Sequence, residues 1–492
     1  MNLAGIDTLA VAPLADGDVF LGGRWLPAAD GRTYPVYDPA TGEPVRWVSD
    51  AGAQDARAAL AAAEQAAAGW RATPARRRSE ILYDTFRLMT GHRDALADLI
   101  VRENGKARRD ALAEVGYAAE FFRWFAEEAV RIGSSFADAP GGGFRHVVRR
   151  HPVGVTAFVT PWNFPAAMAT RKIAPALAAG CPVLLKPAPE TPLTALAVAA
   201  LLARAGLPDG LLNVLPTDRA PEVVSAWLGD ERVRKFSFTG STATGKVLLG
   251  QAAAHVVNVT MELGGNAPFV VCADADVDAA VRGAMDAKMR GGGEVCIAAN
   301  RFYVHGAVAA EFTAKFGAAM AAVRTGPGGE EGVTLGPLIN RAAVDKVRSL
   351  VDDALGRGAR IAAQGTVSRG PGFYHPATVL TDVPDDARIL HEEVFGPVAP
   401  LTTFTDEDEV VARANATVHG LAAYVYSRDV ARALRLAERL EAGMVGLNRG
   451  LLSDPAAPFG GVKQSGLGRE GGREGIEAFL ETQYIALDWP TD

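Results

Sequence analysis

A chain of 492 residues exceeds what one hydrophobic core usually holds, and 49% hydrophobic with 22% charged residues excludes the disordered, fibrous and disulfide-stapled classes. A net charge of −7 with Lys and Arg dispersed excludes the basic footprint of a nucleic-acid binder, and Cys181, Cys272 and Cys296, in no CxxC spacing, suggest neither a disulfide framework nor a metal site. Met1 to Asp18 lacks the features of a signal or transit peptide and the apolar run Leu193 to Leu202 is too short to span a bilayer, so a cytoplasmic protein with no membrane or nucleic-acid partner is expected.

After a short apolar and aromatic segment around Phe20 to Trp25, the Ala-rich stretch Ala51 to Phe136 predicts long helices such as Ala58 to Trp70 and Arg77 to Arg102. From Val153, β-rich runs (Val153 to Val159, Val183 to Lys186, Lys235 to Thr239) alternate with helices near Pro165 to Ala179 and Pro192 to Ala205. That alternation predicts a parallel sheet with crossover helices. A second alternating block begins near Phe269, with helices Val277 to Met289 and Ala307 to Ala322 and strands Arg301 to Val304, Val398 to Phe404 and Ala422 to Tyr426, and reads as a separate α/β domain. Gly141 to Gly143 precedes a strand-like Phe144 to Arg150, and Glu481 to Asp488 is strand-like too. Either fits a strand that pairs with another subunit, and either fits a plain surface hairpin.

Gly240-Ser-Thr-Ala-Thr-Gly245-Lys246 imitates a phosphate-binding P-loop, but Val247 stands where the Mg2+-binding hydroxyl belongs, which excludes an ATP site. A strand ending at Thr239 with Gly240 and Ser241 at a helix start still offers backbone N–H groups to a pyrophosphate, and by itself also fits an ordinary strand-to-helix turn. Cys296 follows Arg290-Gly-Gly-Gly-Glu-Val, where glycines permit close backbone approach and N–H groups facing the thiol would favour the thiolate. Alone, it fits better the commoner fate of a lone cysteine, buried and inert, the reading that Cys181 and Cys272 fit. Glu262 ends a β-rich run before Gly264 and Gly265, and Asn163 lies between a strand and a helix, flanked by Pro161 and Pro165; singly, each has a bland reading as a surface or loop residue.

Together, Pro161-Trp-Asn-Phe-Pro165, Leu185-Lys-Pro187, Phe238-Thr-Gly-Ser241, Met261-Glu-Leu-Gly-Gly265, Gly293-Glu-Val-Cys296, Glu392-Glu-Val-Phe-Gly-Pro397 and Pro458-Phe-Gly-Gly461 match the aldehyde dehydrogenase superfamily in order and spacing. The resemblance covers nearly the whole chain. It implies an α/β fold with a Rossmann-type cofactor domain (1–137 and 153–262, with 449–477 returning to it), an α/β catalytic domain (263–448) and oligomerisation strands (138–152 and 478–492) of a homodimer or homotetramer. It implies a Cys296 nucleophile, an oxyanion held by the Asn163 amide with the Cys296 backbone N–H, and Glu262 as the base that hydrolyses a thioester. It also implies NAD+ or NADP+ bound by Thr160, Pro161, Trp162, Lys186, Gly240, Ser241, Gly264, Glu393 and Phe395. Pro189 stands where the family often has a Glu that bonds the ribose and repels a 2′-phosphate, so NADP+ stays open beside a slight lean to NAD+; no metal is implied.

Arg171 and Arg290 occupy places where members acting on uncharged aldehydes carry bulky apolar residues. With Ser453 they offer a substrate carboxylate bidentate and hydroxyl contacts, and the set resembles succinate-semialdehyde dehydrogenases. The alternatives are pairing of the arginines by protein carboxylates, or another aldehyde: glutarate semialdehyde, 2-oxoglutarate semialdehyde or an aromatic one. Arg449, Gly291 and Glu294 depart from the usual Glu, Asn and Gln, and Ala298 from a second cysteine.

Overall fold

The computed structural model describes residues 17–368 and 370–489. The expectation for the N-terminus therefore lies, up to residue 16, outside the described residues, as does the end of the last expected strand beyond 489. The chain enters through strands β1 (Val19–Leu21) and β2 (Arg24–Leu26) and continues into helices α1 (Ala53–Ala72), α2 (Ala75–Gly91), α3 (Arg93–Asn104) and α4 (Arg108–Ala129). The single helix expected over Arg77 to Arg102 is thus two. His92 leaves helical geometry at φ −106°, ψ 21°, and its N–H still reaches the Leu88 and Met89 carbonyls while α3 starts in a new direction.

The alternating block forms strands β3 (Val155–Val159), β4 (Val183–Lys186), β5 (Leu212–Val214), β6 (Val233–Thr239) and β7 (Asn258–Glu262), linked by helices α5 (Pro165–Ala179), α6 (Pro192–Arg204), α7 (Ala220–Leu228) and α8 (Thr242–Ala252). The described residues give an eight-stranded sheet in the order β2, β1, β5, β4, β3, β6, β7, Gly466–Leu467. From β5 to β7 it is parallel, as the alternation predicted. The chain steps from β3 to β4 on one side and later to β6 on the other, so the strand order reverses between β3 and β6. Ligands of open parallel sheets bind at the carboxyl ends of such strands. Every residue of α5 is buried, so this helix is a central element rather than an amphipathic surface one.

A second, seven-stranded sheet contains strands β8 (Ala267–Val271), β9 (Ala299–His305), β10 (Arg360–Gln364), β11 (Thr378–Thr381), β12 (Val398–Phe404), β13 (Ala422–Tyr426) and β14 (Met444–Leu447), in the order β10, β11, β12, β9, β8, β13, β14. Helix α9 (Val277–Met289) leads from β8 toward β9. The helix Arg341–Gly356, missed in the sequence, is announced by Asn340, whose side chain caps the Ala343 N–H.

The run Val153 to Val159 also divides. Gly154 has φ +124°, and a Cβ there would sit 2.7 Å from the Arg234 side chain, so the chain turns and β3 starts at Val155. Ahead of the turn, Arg145–Pro152 pairs antiparallel with Leu480–Leu487 on one side and with Ser135–Asp138 on the other. The two candidate projecting strands are therefore partners of each other in one three-stranded arm. Among the described residues no helix is long and apolar enough to cross a membrane.

Candidate active site

The carboxyl ends of the parallel strands deliver the first half of the site. Thr160, Pro161, Trp162 and Asn163 follow β3, Lys186 ends β4, Gly240 and Ser241 follow β6, and Glu262 ends β7. Ser241 is the N-cap of α8 and accepts a hydrogen bond from the Thr244 N–H. Lys186 is buried, makes no side-chain hydrogen bond or ion pair among the described residues, and is lowered to about 8 by burial against the pull of Glu190 and Asp218. The Thr239 hydroxyl, at the end of β6 on the other side of β3, is buried without a partner. A buried cation and an orphaned hydroxyl at the reversal point, next to a capped helix start, fit an oxygen-rich anionic cofactor.

Across the cleft, α9 ends and the chain runs through Gly291, Gly292 and Gly293, all left-handed at φ 52°, 69° and 77°. A Cβ on Gly293 would lie 2.4 Å from the Gly396 carbonyl oxygen, so this turn accepts only glycine. It delivers Cys296 to a small pocket lined by Asn163, Met168, Arg171, Arg290, Ser453 and Phe459, among others. Gly265 packs so tightly on Cys296 that a Cβ there would lie 2.1 Å from its carbonyl oxygen, which locks the two halves of the site together.

Cys296 is half-buried, whereas Cys181 and Cys272 are buried, with thiols pushed up to about 11 and about 12. The expectation that glycine amides would favour a Cys296 thiolate is not met. Burial, then the charges of Glu262 and Glu393, push this thiol up to about 12, and Arg171 and its own backbone N–H offset only part of that. Glu262 is buried with both carboxylate oxygens unpartnered. Burial and the charge of Glu470 raise it well above the ordinary range, against Arg171 and Lys172. The Asn163 amide nitrogen donates to the Glu294 carbonyl at 2.8 Å and keeps a second N–H.

The two arginines differ. Arg290 donates to the Ser453 hydroxyl at 3.0 Å and lies over the Tyr117 and Phe164 rings at 5.4 and 5.0 Å, with no carboxylate in ion-pair contact among the described residues. Arg171 instead pairs with Glu470, Nε to Oε2 3.2 Å, and stacks 4.2 Å from the Phe459 ring. Of the two guanidiniums, one is free of an ion pair among the described residues and the other, as in the alternative reading, is paired with a protein carboxylate that it shares with Lys172. Glu470 is a residue that no sequence motif singled out. It also binds the Lys172 ammonium and accepts from the Ser237 hydroxyl at 3.2 Å.

The remaining cofactor candidates fall into two groups. Glu393 accepts from the Gly265 N–H at 3.1 Å, and a Cβ on Gly264 would meet its other oxygen at 2.9 Å; burial pushes this carboxyl up to about 7. Phe395 holds a left-handed φ of 52° and meets Trp162 edge-on, ring centroids 5.4 Å apart. Pro189 lines a separate cleft with Tyr34, Glu103, Glu190, Asp218 and Arg341.

The aldehyde dehydrogenase family model matches residues 25–485. The chain is 52% identical over 443 residues to a succinate-semialdehyde dehydrogenase from Paenarthrobacter nicotinovorans, covering 90% of this chain and 98% of that one. It is 49% identical over 468 residues to a 3-sulfolactaldehyde dehydrogenase from Pseudomonas putida, covering 95% and 96%. The crystal structure of an NADP-dependent enzyme from E. coli superimposes with a TM-score of 0.94 at 47% identity, covering 96% of this chain and 98% of that one. With a cysteine, a buried carboxylate and an asparagine brought to one cleft by two facing sheets, and with these matches over almost its whole length, the chain belongs to the aldehyde dehydrogenase family.

Proposed function

We propose that the protein oxidises a short aldehyde carrying a terminal acid group, succinate semialdehyde first, to the corresponding acid with NAD(P)+, through a thioester on Cys296. The observation that carries the reading is Arg290: a guanidinium held by Ser453 and two aromatic rings, with no carboxylate in ion-pair contact among the described residues, in the same pocket as the thiol. A half-buried guanidinium in this position can meet an incoming carboxylate with charge-assisted hydrogen bonds. Arg171 supplies shape and residual positive potential rather than a full charge, because Glu470 already takes its Nε side.

In this reading the Cys296 sulfur, once deprotonated, bonds to the aldehyde carbon. The charge that develops on the carbonyl oxygen is met by the free N–H of the Asn163 amide and the Cys296 backbone N–H. NAD(P)+, held by Thr160, Pro161, Trp162, Lys186, Gly240, Ser241, Gly264, Glu393 and Phe395, supplies the two-electron acceptor for the hydride that leaves this carbon. Glu262 then takes a proton from water as its oxygen attacks the thioester carbon, the C–S bond breaks, and the acid and the Cys296 thiolate separate. A carboxyl raised by burial is suited to this, since it holds a proton more readily than an ordinary carboxylate does.

The lean toward NAD+ is supported by Glu190 and Asp218, whose charges reach Lys186 and oppose a 2′-phosphate although Pro189 has none. The NADP-dependent E. coli structure argues for testing both. The division into a cofactor domain (1–137, 153–262 and 449–477) and a catalytic domain (263–448) completes the reading, as does a cytoplasmic homodimer or homotetramer joined through the arm. There Phe136, Tyr484 and Trp489 are about half exposed. The test follows reduced-cofactor absorbance with succinate semialdehyde, glutarate semialdehyde, 3-sulfolactaldehyde, butanal and benzaldehyde, each with NAD+ and NADP+. The acid-bearing aldehydes are expected to lead in kcat/KM by about tenfold or more, equal to about 1.4 kcal/mol of transition-state binding. Equal use of butanal removes the anion anchor, and a monomer by light scattering removes the assembly.

A further inference from the structure

Of four consecutive residues at the end of α3, Asn104 and Lys106 grip the loop that carries Asn163, and none of the four belongs to the chemistry described above. The Glu103 carboxylate accepts the Leu193 and Thr194 N–H groups at the start of α6 at 2.8 and 2.9 Å. Asn104 donates to the Trp162 carbonyl at 3.1 Å. Gly105, left-handed at φ +81°, turns the chain. Lys106, buried, donates from its ammonium to the Asn163 carbonyl at 2.7 Å and to Glu114 at 2.5 Å, and lies 3.9 Å over the Phe164 ring. The other oxygen of Glu114 accepts the Ala166 and Ala167 N–H groups at 2.9 and 3.4 Å. It thereby caps α5, whose own N-cap Phe164 offers no acceptor side chain.

The contacts close into a ring around the oxyanion position. Lys106 holds the Asn163 backbone, the Asn163 amide donates to the Glu294 carbonyl, and the Glu294 side chain accepts the Ile339 N–H at 3.2 Å. The chain just before Ile339 returns to the start, since a Cβ on Gly336 would lie 2.0 Å from the Gly105 carbonyl oxygen and one on Gly105 2.6 Å from Pro337. The segment that carries the buried Lys106 ammonium thus touches the surroundings of the nucleophile on both sides, through Asn163 and through the chain ahead of Ile339.

We infer that Lys106, with Glu114 as its counter-ion, is a positioning residue that fixes the Asn163 amide over the reacting carbonyl. This rests on the reading of Asn163 as the oxyanion donor. A displacement of about 1 Å at such a donor costs on the order of 100-fold in rate. The effect belongs to kcat, because the developing charge exists only in the transition state. It is also blind to the charge of the aldehyde, unlike an effect at Arg290.

The test is the double variant Lys106→Met/Glu114→Gln, which leaves neither charge buried alone, made in the wild-type and in the Asn163→Ala background. In the wild-type background kcat is expected to fall about 10- to 100-fold for succinate semialdehyde and butanal alike, with KM and cofactor affinity held. In the Asn163→Ala background the same pair is expected to cost less than about twofold, since the group being positioned is gone. Equal losses in the two backgrounds, or a change confined to KM, overturn the inference while leaving Asn163 its role. Wild-type kcat in Asn163→Ala alone overturns the oxyanion reading, and the inference with it. If the double variant is insoluble, Asn104→Ala removes one carbonyl contact and no charge; a kcat loss of about fivefold is expected and an unchanged kcat overturns the clamp.

Discussion

Glu262 at the end of β7 and Glu470 in the segment that returns beside it are both buried carboxyls near the same two cations, yet they titrate in opposite directions. Burial would raise both. For Glu470 the direct contacts with Lys172 and Arg171 and the Ser237 hydroxyl outweigh burial and hold it below its ordinary value. Glu262 touches none of these groups, has no hydrogen-bond partner on either oxygen, and feels the charge of Glu470 instead. The difference teaches that depth alone does not set the behaviour of an acid. One carboxyl is made a fixed charge by its contacts, and that fixed charge keeps its neighbour ready to hold a proton.

The comparison is broken most directly by Glu262→Gln. Loss of a general base is expected to lower kcat by about 100- to 10,000-fold while stopped-flow still records one equivalent of reduced cofactor per active site. No burst, or near-normal turnover, would return the hydrolytic role to another group. The same substitution should act oppositely on stability. Because the folded pKa of Glu262 is raised, its penalty is absent below the ordinary value near 4.5 and grows as pH rises through the folded value, so the variant should gain Tm relative to wild type at pH 8 and not at pH 4.

Glu470→Gln should instead destabilise, by about 3–5 kcal/mol, because it strands Arg171 and Lys172. Glu470 is held below its ordinary value, so the stability it contributes is present above that value and lost as pH falls through the folded pKa; the gap between variant and wild type by calorimetry should close on acidification. Next in size, Arg290→Leu is expected to lower kcat/KM for succinate semialdehyde about 10- to 100-fold and to leave butanal nearly unchanged, the worth of one charged hydrogen-bond set. Equal losses for both aldehydes would make Arg290 structural. The finest effect is in the pH profile. Removing the Glu470 charge lowers the Glu262 pKa, so the acidic limb of kcat in Glu470→Gln should move to lower pH; a limb that stays in place would assign it to another group.

Much of this frame was legible in advance, for physical reasons that can be named. The alternation from Val153 onward reports the parallel sheet because buried strands and crossover helices differ in period, and α9 was predicted as Val277 to Met289, its observed span. Cys296, Asn163 and Glu262 stand beside glycines and prolines whose geometry marks them. The pairing of Arg171 was not readable, because Glu470 lies 299 residues further on and only the return of Gly466–Leu467 to the first sheet brings it there. The break at His92 was passed over because a lone glycine, Gly91, is its only sequence mark and no proline follows it. Lys106 and Glu114 escaped notice because a loop lysine and a helical glutamate that form a buried ion pair have the same local pattern as exposed ones.

The short antiparallel strand Gly466–Leu467, laid on the edge of the first sheet, has a consequence for how the enzyme is born. Glu470 lies 174 residues after Cys296, which at about 5–20 residues per second of synthesis means roughly 10–35 s during which the ribosome has delivered the nucleophile but not the acid that tethers Arg171 and Lys172. The arm strand Leu480–Leu487 arrives later still, to a partner, Arg145–Pro152, made more than 300 residues earlier. Until the segment that carries Glu470 is made, the nascent chain is a cysteine protein whose Arg171 and Lys172 lack their shared carboxylate.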